Sequence, residues 1–257
     1  MSVNACPLLV HMSWLPPLLP LCIITPGGPS SGGSERIASD IVCPWCFIGK
    51  RRLEKALALR PDIAAEVRWR PYFLNDWIPR QGIDRNTYLE TKFGSVERYA
   101  AIAERVAAAA RSEGLDYALD KIARQPNTLD CHRLILWARN TSDPGRMKQR
   151  LMELYFSEGA DLTDPEVLVG AAVDCGMDGD LVRKLLESDA DVERIEGEAR
   201  AAKEAGVDGV PCFIFGNVLA VAGAQEPAYL ADAMGRAAAE HAERAGREET
   251  EAEVLSN

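Results

Sequence analysis

Two cysteines separated by two residues, Cys43-Pro44-Trp45-Cys46, stand where a short apolar stretch gives way to a helical pattern. Ile37 to Val42 reads as a strand, and Phe47-Ile48-Gly49-Lys50-Arg51-Arg52-Leu53-Glu54-Lys55-Ala56-Leu57 as an amphipathic helix. That context predicts Cys43 at the N-cap, Pro44 as the first helical residue and Cys46 as the third. Proline suits the first position because its missing N–H has no intrahelical partner anyway. A thiolate at Cys43 faces the unpaired N–H groups and positive pole of the helix, with Lys50, Arg51 and Arg52 one or two turns on. A second thiol one turn away can resolve a mixed disulfide, so the pattern points to dithiol–disulfide chemistry. Cys43 is expected to be the accessible thiolate and Cys46 the protected partner. Two alternatives stand beside this one: half of a zinc site, and a chance pair of buried cysteines. A structural zinc site needs four ligands, and the neighbouring candidates, Cys131 and His132, are adjacent on a helical tract and expected to point apart. No metal site is predicted.

The remaining cysteines, Cys6, Cys22, Cys131, Cys175 and Cys212, are scattered singly. Seven cysteines in 257 residues do not form a disulfide scaffold, and the pattern suits reduced, buried thiols in the cytoplasm. A net charge of −10 argues against a nucleic-acid groove or an anionic membrane surface as partner. With 47% hydrophobic residues the chain can bury a substantial core.

Residues 1–34 contain no Asp, Glu, Lys or Arg and are broken by six prolines. Pro16, Pro17 and Pro20 argue against a spanning helix, which needs ~20 largely apolar residues without interruption. The segment reads as a disordered or non-native extension, with an atypical export signal as the alternative. Leu21 to Ile24 is a candidate strand within it.

Beyond the cysteine helix, which Pro61 should end, Glu66 to Leu74 alternates as a strand, with Pro71 marking a sheet edge or a late kink. Helices are predicted over Ser95–Ser112, Thr128–Ala138, Pro144–Tyr155, Pro165–Cys175, Leu181–Glu187 and Asp189–Ala205, the last closed by Gly206. Cys212–Phe215 and Leu219–Ala222 read as a hairpin about Gly216-Asn217, and Glu226–Ala245 as a final helix. The element order is β–α–β, a helical block, then α–β–β–α. The domain boundaries drawn from it are 35–80 with 190–245 for the sheet-bearing unit, 81–189 for an inserted helical domain, and 246–257 for a frayed tail.

With these pieces placed, the chain resembles the FrnE-type branch of the DsbA-like oxidoreductases, related to the 2-hydroxychromene-2-carboxylate isomerases and kappa-class glutathione transferases. The resemblance rests on Ser39 to Arg51, Trp69-Arg70-Pro71-Tyr72, Lys92-Phe93-Gly94-Ser95, Asn127 to Leu134, Asp164 to Leu168 and Gly209-Val210-Pro211. It implies an α/β thioredoxin fold with an inserted all-helical domain. It also implies a thiol–disulfide oxidoreductase acting on protein or small-molecule disulfides, with Cys43 as nucleophile and Cys46 resolving. Pro44 and Trp45 would then shape the contact surface, and Val210 and Pro211 would align the substrate chain. In the family the proline matching Pro211 is cis and lies against the active-site disulfide; the alternative is an ordinary trans proline opening a strand. No cofactor is implied beyond the redox-active disulfide, with glutathione as a candidate co-substrate. The runner-up function is a glutathione-dependent isomerase or transferase, although those relatives generally carry Ser at the first motif position and lack the second Cys. His132 and Asn127 are further candidates by position, and Cys212 is a candidate alternative partner for Cys43. Where the family has a longer apolar first strand, this chain has Arg36. Oligomeric state, physiological substrate and direction of redox transfer are left open.

Overall fold

The computed structural model describes residues 34–255, with side chains over residues 35–244. The first 33 residues, including the candidate strand Leu21 to Ile24, lie outside the described residues. A four-stranded sheet carries the fold. Strand β1, Ser34–Ser39, runs into helix α1, Pro44–Leu59, and the chain returns as β2, Glu66–Pro71, parallel to β1 from Ser34 opposite Glu66 to Ser39 opposite Pro71. Late in the chain β5, Cys212–Phe215, pairs antiparallel with the other edge of β1, and β6, Leu219–Ala222, pairs antiparallel with β5. The order across the sheet is β2-β1-β5-β6. Helix α9, Pro227–Leu255, packs on α1 and on the β5–β6 hairpin.

Between β2 and β5 lie β3, Ile83–Asp84, and β4, Arg124–Gln125, which form a two-residue ladder of their own. The helices of this region are α2 (Arg85–Phe93), α3 (Val96–Ser112), α4 (Leu129–Thr141), α5 (Pro144–Glu153), α6 (Pro165–Asp174), α7 (Gly179–Leu186) and α8 (Val192–Glu204). Side-chain caps start most of them. Asp84, Ser95, Asp143, Asp164 and Asp178 each accept a hydrogen bond from an N–H of the first turn, and Pro144 and Pro165 follow their caps directly. A π-helical turn, Leu154–Glu158, extends α5.

Several boundaries differ from the sequence-based expectation. β1 begins at Ser34 and ends at Ser39, so Arg36 lies inside it, and the predicted stretch through Val42 is a turn instead. The Asp40 carboxylate causes the break: it accepts from the N–H of Ile41 at 2.7 Å and of Leu74 at 2.8 Å, so neither group is available to a ladder. β2 stops at Pro71 rather than Leu74, because proline has no N–H for further pairing. It is also the edge strand, where proline is tolerated. Helix α2, Arg85–Phe93, was not anticipated; it ends on Gly94 in the left-handed region at φ 86°. The terminal helix continues to Leu255, through the tract expected to fray. The Glu, Ala and Arg residues that follow Ala245 have high helix propensity, and Gly246 alone is too weak a stop.

The hairpin turn carries positive φ at both Gly216, 56°, and Asn217, 57°, matching the right-handed twist of its strands. Its Gly216 N–H donates to Glu35 Oε2 at 3.2 Å. Glu35 is buried at the start of β1, and burial pushes its carboxyl up to about 7. An unfolded Glu ionises near 4.5, so the folded form holds its proton while the unfolded form loses it. Stability therefore falls as pH rises from about 4.5 to about 7, and the loss is fully present above that window. Glu35→Gln should raise Tm by about 2–4 °C at pH 8 and leave it unchanged at pH 4. Thermal melts at the two pH values decide; equal Tm at pH 8 would show that Glu35 ionises freely.

Candidate active site

Cys43 caps α1 from an extended backbone, φ −89° and ψ 114°, with Pro44 in the first turn. Its carbonyl accepts from the N–H of Cys46 at 2.9 Å and of Phe47 at 3.3 Å, so the helix begins at the motif. Across from it lies the turn into β5, where the Val210–Pro211 peptide bond is cis. The Cys43 thiol donates to the Val210 carbonyl at 3.5 Å. The Pro211 ring reaches the second turn of α1, where it stands 2.9 Å from the position a Cβ on Gly49 would take, with the Phe213 ring at 3.2 Å. Only glycine at position 49 lets the cysteine helix and the proline turn approach this closely. Thus the CxxC pair, Val210 and Pro211 form one locus, although 164 intervening residues separate Cys46 from Pro211 in the chain.

Cys43 was expected to be open to solvent, yet it is 4% exposed and Cys46 1%. The Val210 carbonyl sits against the Cys43 sulfur, while Trp45 beside it is 40% exposed. The two thiols lie close enough for each to perturb the ionisation of the other. The hydrogen bond to Cys46, then burial, drive the Cys43 thiol well up. Burial opposes ionisation of Cys46 as well, but the Cys43 thiol, the Lys148 ammonium, the Ser39 hydroxyl and the Asp40 backbone together outweigh it and bring Cys46 down. The pair thus loses its first proton readily and its second with difficulty.

Asp40 lies directly beneath. It is fully buried, and burial by itself would raise its carboxyl; the His132 contact, the Leu74 N–H and the Thr128 hydroxyl more than compensate and hold it below the usual carboxylate range. His132 Nε2 is 3.5 Å from Asp40 Oδ1, and its ring meets Phe73 edge-on at 5.7 Å between centroids. His132 therefore joins the site through Asp40, while its neighbour Cys131 is buried in the core. Asn127 does not join it: its amide donates to Ile78 O at 2.7 Å and its carbonyl accepts from Leu129 N at 2.9 Å, which makes it a bracket for the start of α4. Cys212 is opposite Ala38 in the sheet register. Successive strand residues face opposite sides, and Phe213 points at α1, so Cys212 points away from the helix that carries Cys43. Burial pushes its thiol up to about 11.

Two further residues complete the locus without having been named as site residues from the sequence, although Lys92 opens one of the motifs above. Lys92 on α2 is hydrogen-bonded to Asn75 Oδ1, lies over the Tyr88 ring, and feels the charges of Cys43 and Asp40. Lys148 on α5 is 1% exposed with its ammonium 5.1 Å from the Trp69 ring centroid. A readable signal existed for the second: Lys148, Leu151 and Met152 follow the i, i+3, i+4 spacing of a buried helix face.

A sheet of this order, a CxxC at a helix start and a cis proline facing it are the marks by which the chain can be placed. The DsbA-like thioredoxin domain model matches residues 37–235. The chain belongs to the DsbA-like thioredoxin family. A probable DsbA oxidoreductase from Streptomyces coelicolor shares 31% identity with it, covering 80% of this chain and 89% of that one at a TM-score of 0.72. The uncharacterized protein YwbO of Bacillus subtilis is 25% identical over 72% of this chain and 87% of its own length. The cytosolic disulfide reductase DsbM of Pseudomonas aeruginosa, solved with GSH, has the same fold at 15% identity and a TM-score of 0.54, covering 82% and 98%. Family membership carries thiol–disulfide chemistry as the activity class of this DsbA-like protein. Among the described residues, no helix is long and apolar enough to cross a membrane.

Proposed function

We propose that this DsbA-like protein is a thiol–disulfide oxidoreductase in which Cys43 exchanges with the substrate disulfide and Cys46 resolves the intermediate. The observation that carries the reading is the 3.5 Å contact between the Cys43 sulfur and the Val210 carbonyl at the cis proline turn. A substrate segment lying along Val210 brings its own sulfur to Cys43, while the exposed Trp45 offers an apolar surface beside it. Cys46, deeper in the first turn, then attacks the Cys43 sulfur of the mixed disulfide and releases the substrate as a thiol.

Glutathione suits the role of co-substrate, since Lys92 places a cation within electrostatic reach of Cys43 and the tripeptide carries carboxylates. The intact Cys43/Cys46 pair favours redox exchange over isomerase or transferase chemistry. A cytoplasmic setting agrees with Cys131, Cys175 and Cys212 being buried single thiols. The test is equilibration of the purified full chain with reduced and oxidised glutathione, followed by mass spectrometry. A Cys43–Cys46 disulfide that forms and breaks with the buffer supports the reading. A pair that stays reduced throughout, in a protein that conjugates or isomerises glutathione-dependent substrates, would replace it with the runner-up.

A further inference from the structure

We propose that Lys92, held by Asn75 beside the motif, forms a carboxylate-binding subsite that makes small acidic disulfides, rather than neutral or cationic ones, the substrates of Cys43. The inference rests on the redox reading above and deepens it by naming the substrate class.

A continuous chain of contacts joins Lys92 to the motif. The Cys43 N–H donates to Asp40 O at 3.4 Å, and Asp40 Oδ2 accepts from Leu74 N at 2.8 Å. The next residue, Asn75, accepts from the Lys92 ammonium through Oδ1. Helix α2 carries Arg85, Tyr88 and Lys92 at i, i+3 and i+7, so all three share one face. The Tyr88 ring is 5.1 Å from the Arg85 guanidinium and 5.7 Å from the Lys92 ammonium, and the exposed Trp77 ring stacks along it at 6.2 Å.

What these two cations lack is an anion. Lys92 is exposed and bonds to the neutral Asn75; Arg85 bonds to Gln125 Oε1, Tyr155 OH at 3.2 Å and Tyr99 OH at 3.1 Å, all neutral. Among the described residues no carboxylate pairs with either, in a chain of net charge −10. The acids at hand are already engaged: Asp76 takes Lys203 at 2.7 Å, and Asp40 takes two backbone N–H groups and faces His132. A second donor is also left over. Asn75 is 6% exposed, and its Nδ2 is buried with the Tyr88 hydroxyl near it but no acceptor in bonding geometry. When Lys92 exchanges its Asn75 contact for a ligand carboxylate, the amide beneath is uncovered, and ammonium and N–H can each serve one carboxylate oxygen. An acidic chain repels acidic solutes, so unneutralised cations beside the sulfur change which disulfides reach it.

The exchange balances. Attack by Cys43 breaks the substrate S–S bond, forms a mixed disulfide with the half whose carboxylate sits on Lys92, and releases the other half as a thiol. Cys46 then displaces the seated half and closes the Cys43–Cys46 bond. Two electrons and the two thiol protons of the pair pass to the two substrate halves.

The test measures the rate constant for oxidation of the reduced full chain by three small disulfides that differ mainly in charge: dithiodipropionate, hydroxyethyl disulfide and cystamine. The readout is the ratio of the diacid rate to the neutral one, because a general effect on Cys43 ionisation cancels in it. Lys92→Met should lower that ratio about tenfold, the worth of one charge-assisted hydrogen bond. Lys92→Arg should retain most of it, and Asn75→Asp, which sets a carboxylate against the ammonium, should lower it as far as Lys92→Met. In the wild type, raising salt to about 0.5 M should lower the ratio by screening. A ratio that Lys92→Met leaves unchanged would overturn the proposal. So would one that salt leaves unchanged or raises, since a rise is the sign of repulsion by the acidic chain as a whole. If Asn75→Asp fails to fold, the variants of the exposed Lys92 and the salt series decide. If none of the three disulfides oxidises the pair, the redox reading falls and this proposal with it.

Discussion

Cys43→Ser should reduce disulfide exchange to the uncatalysed rate, whereas Cys46→Ser should trap substrate on Cys43 as a stable mixed disulfide. The two sulfurs differ in what lies beside them. Cys43 faces the Val210 carbonyl at 3.5 Å, where a substrate chain would lie, while Cys46 is in the first turn with Ser39 and Lys148 around it. A serine hydroxyl does not ionise near neutral pH, so neither variant can complete the two-step exchange. Mass spectrometry after incubation with oxidised glutathione distinguishes them: an adduct of one glutathione on Cys46→Ser and none on the motif of Cys43→Ser. An adduct on Cys46 of the Cys43→Ser protein, formed as fast as that on Cys43, would reverse the assignment. The same samples test Cys212 as an alternative partner, since a Cys43–Cys212 crosslink in Cys46→Ser is disfavoured by the opposite facing of Cys212 on β5.

The second large effect concerns stability. Asp40→Ala should destabilise the protein by about 3–5 kcal/mol, the range for breaking a buried charged contact, and lower Tm on the order of 10 °C. The alanine leaves the Ile41 and Leu74 N–H groups without their acceptor and removes the charge that faces His132. Because the folded-state carboxyl is held below its ordinary value near 3.8, its stabilisation is present above that pH and lost as pH falls through the folded value. Asp40→Asn should therefore flatten the acid limb of the stability curve. It should also ease ionisation of Cys43, since the Asp40 charge opposes a thiolate there. Urea unfolding against pH, with thiolate absorbance alongside, checks both. An Asp40→Ala variant as stable as wild type would mean the carboxylate does not organise the turn.

Much of this could be read in advance because it depends on local chemistry. Proline after Cys43, aspartate before Pro144 and Pro165, and glycine with asparagine between two apolar runs each dictate their own backbone within a few residues. The short β3–β4 ladder could not be read that way, since two-residue strands have no periodicity and exist only where distant segments meet. The end of β1 was misplaced for a related reason. Ile41 and Val42 have strand propensity, but Asp40 takes the local N–H and reaches across to Leu74, a contact that strand periodicity does not contain. Asn127 and His132, adjacent to the same helix start and equally polar, were indistinguishable until their partners were known.

The sequence by itself determined that Cys43 and Cys46 would share the first turn of a helix, because capping and proline geometry act over one turn of chain. It also determined the β–α–β and β–β–α halves that flank the helical region. Only the tertiary structure decided what surrounds the sulfurs: Val210 against Cys43, Asp40 beneath the motif, His132 on Asp40, and Lys148 brought in over Trp69. Apart from Asp40, those groups come from segments far from the motif in the chain. Burial and charge, which set how readily a thiol gives up its proton, depend on distances in space that residue spacing along a chain does not encode.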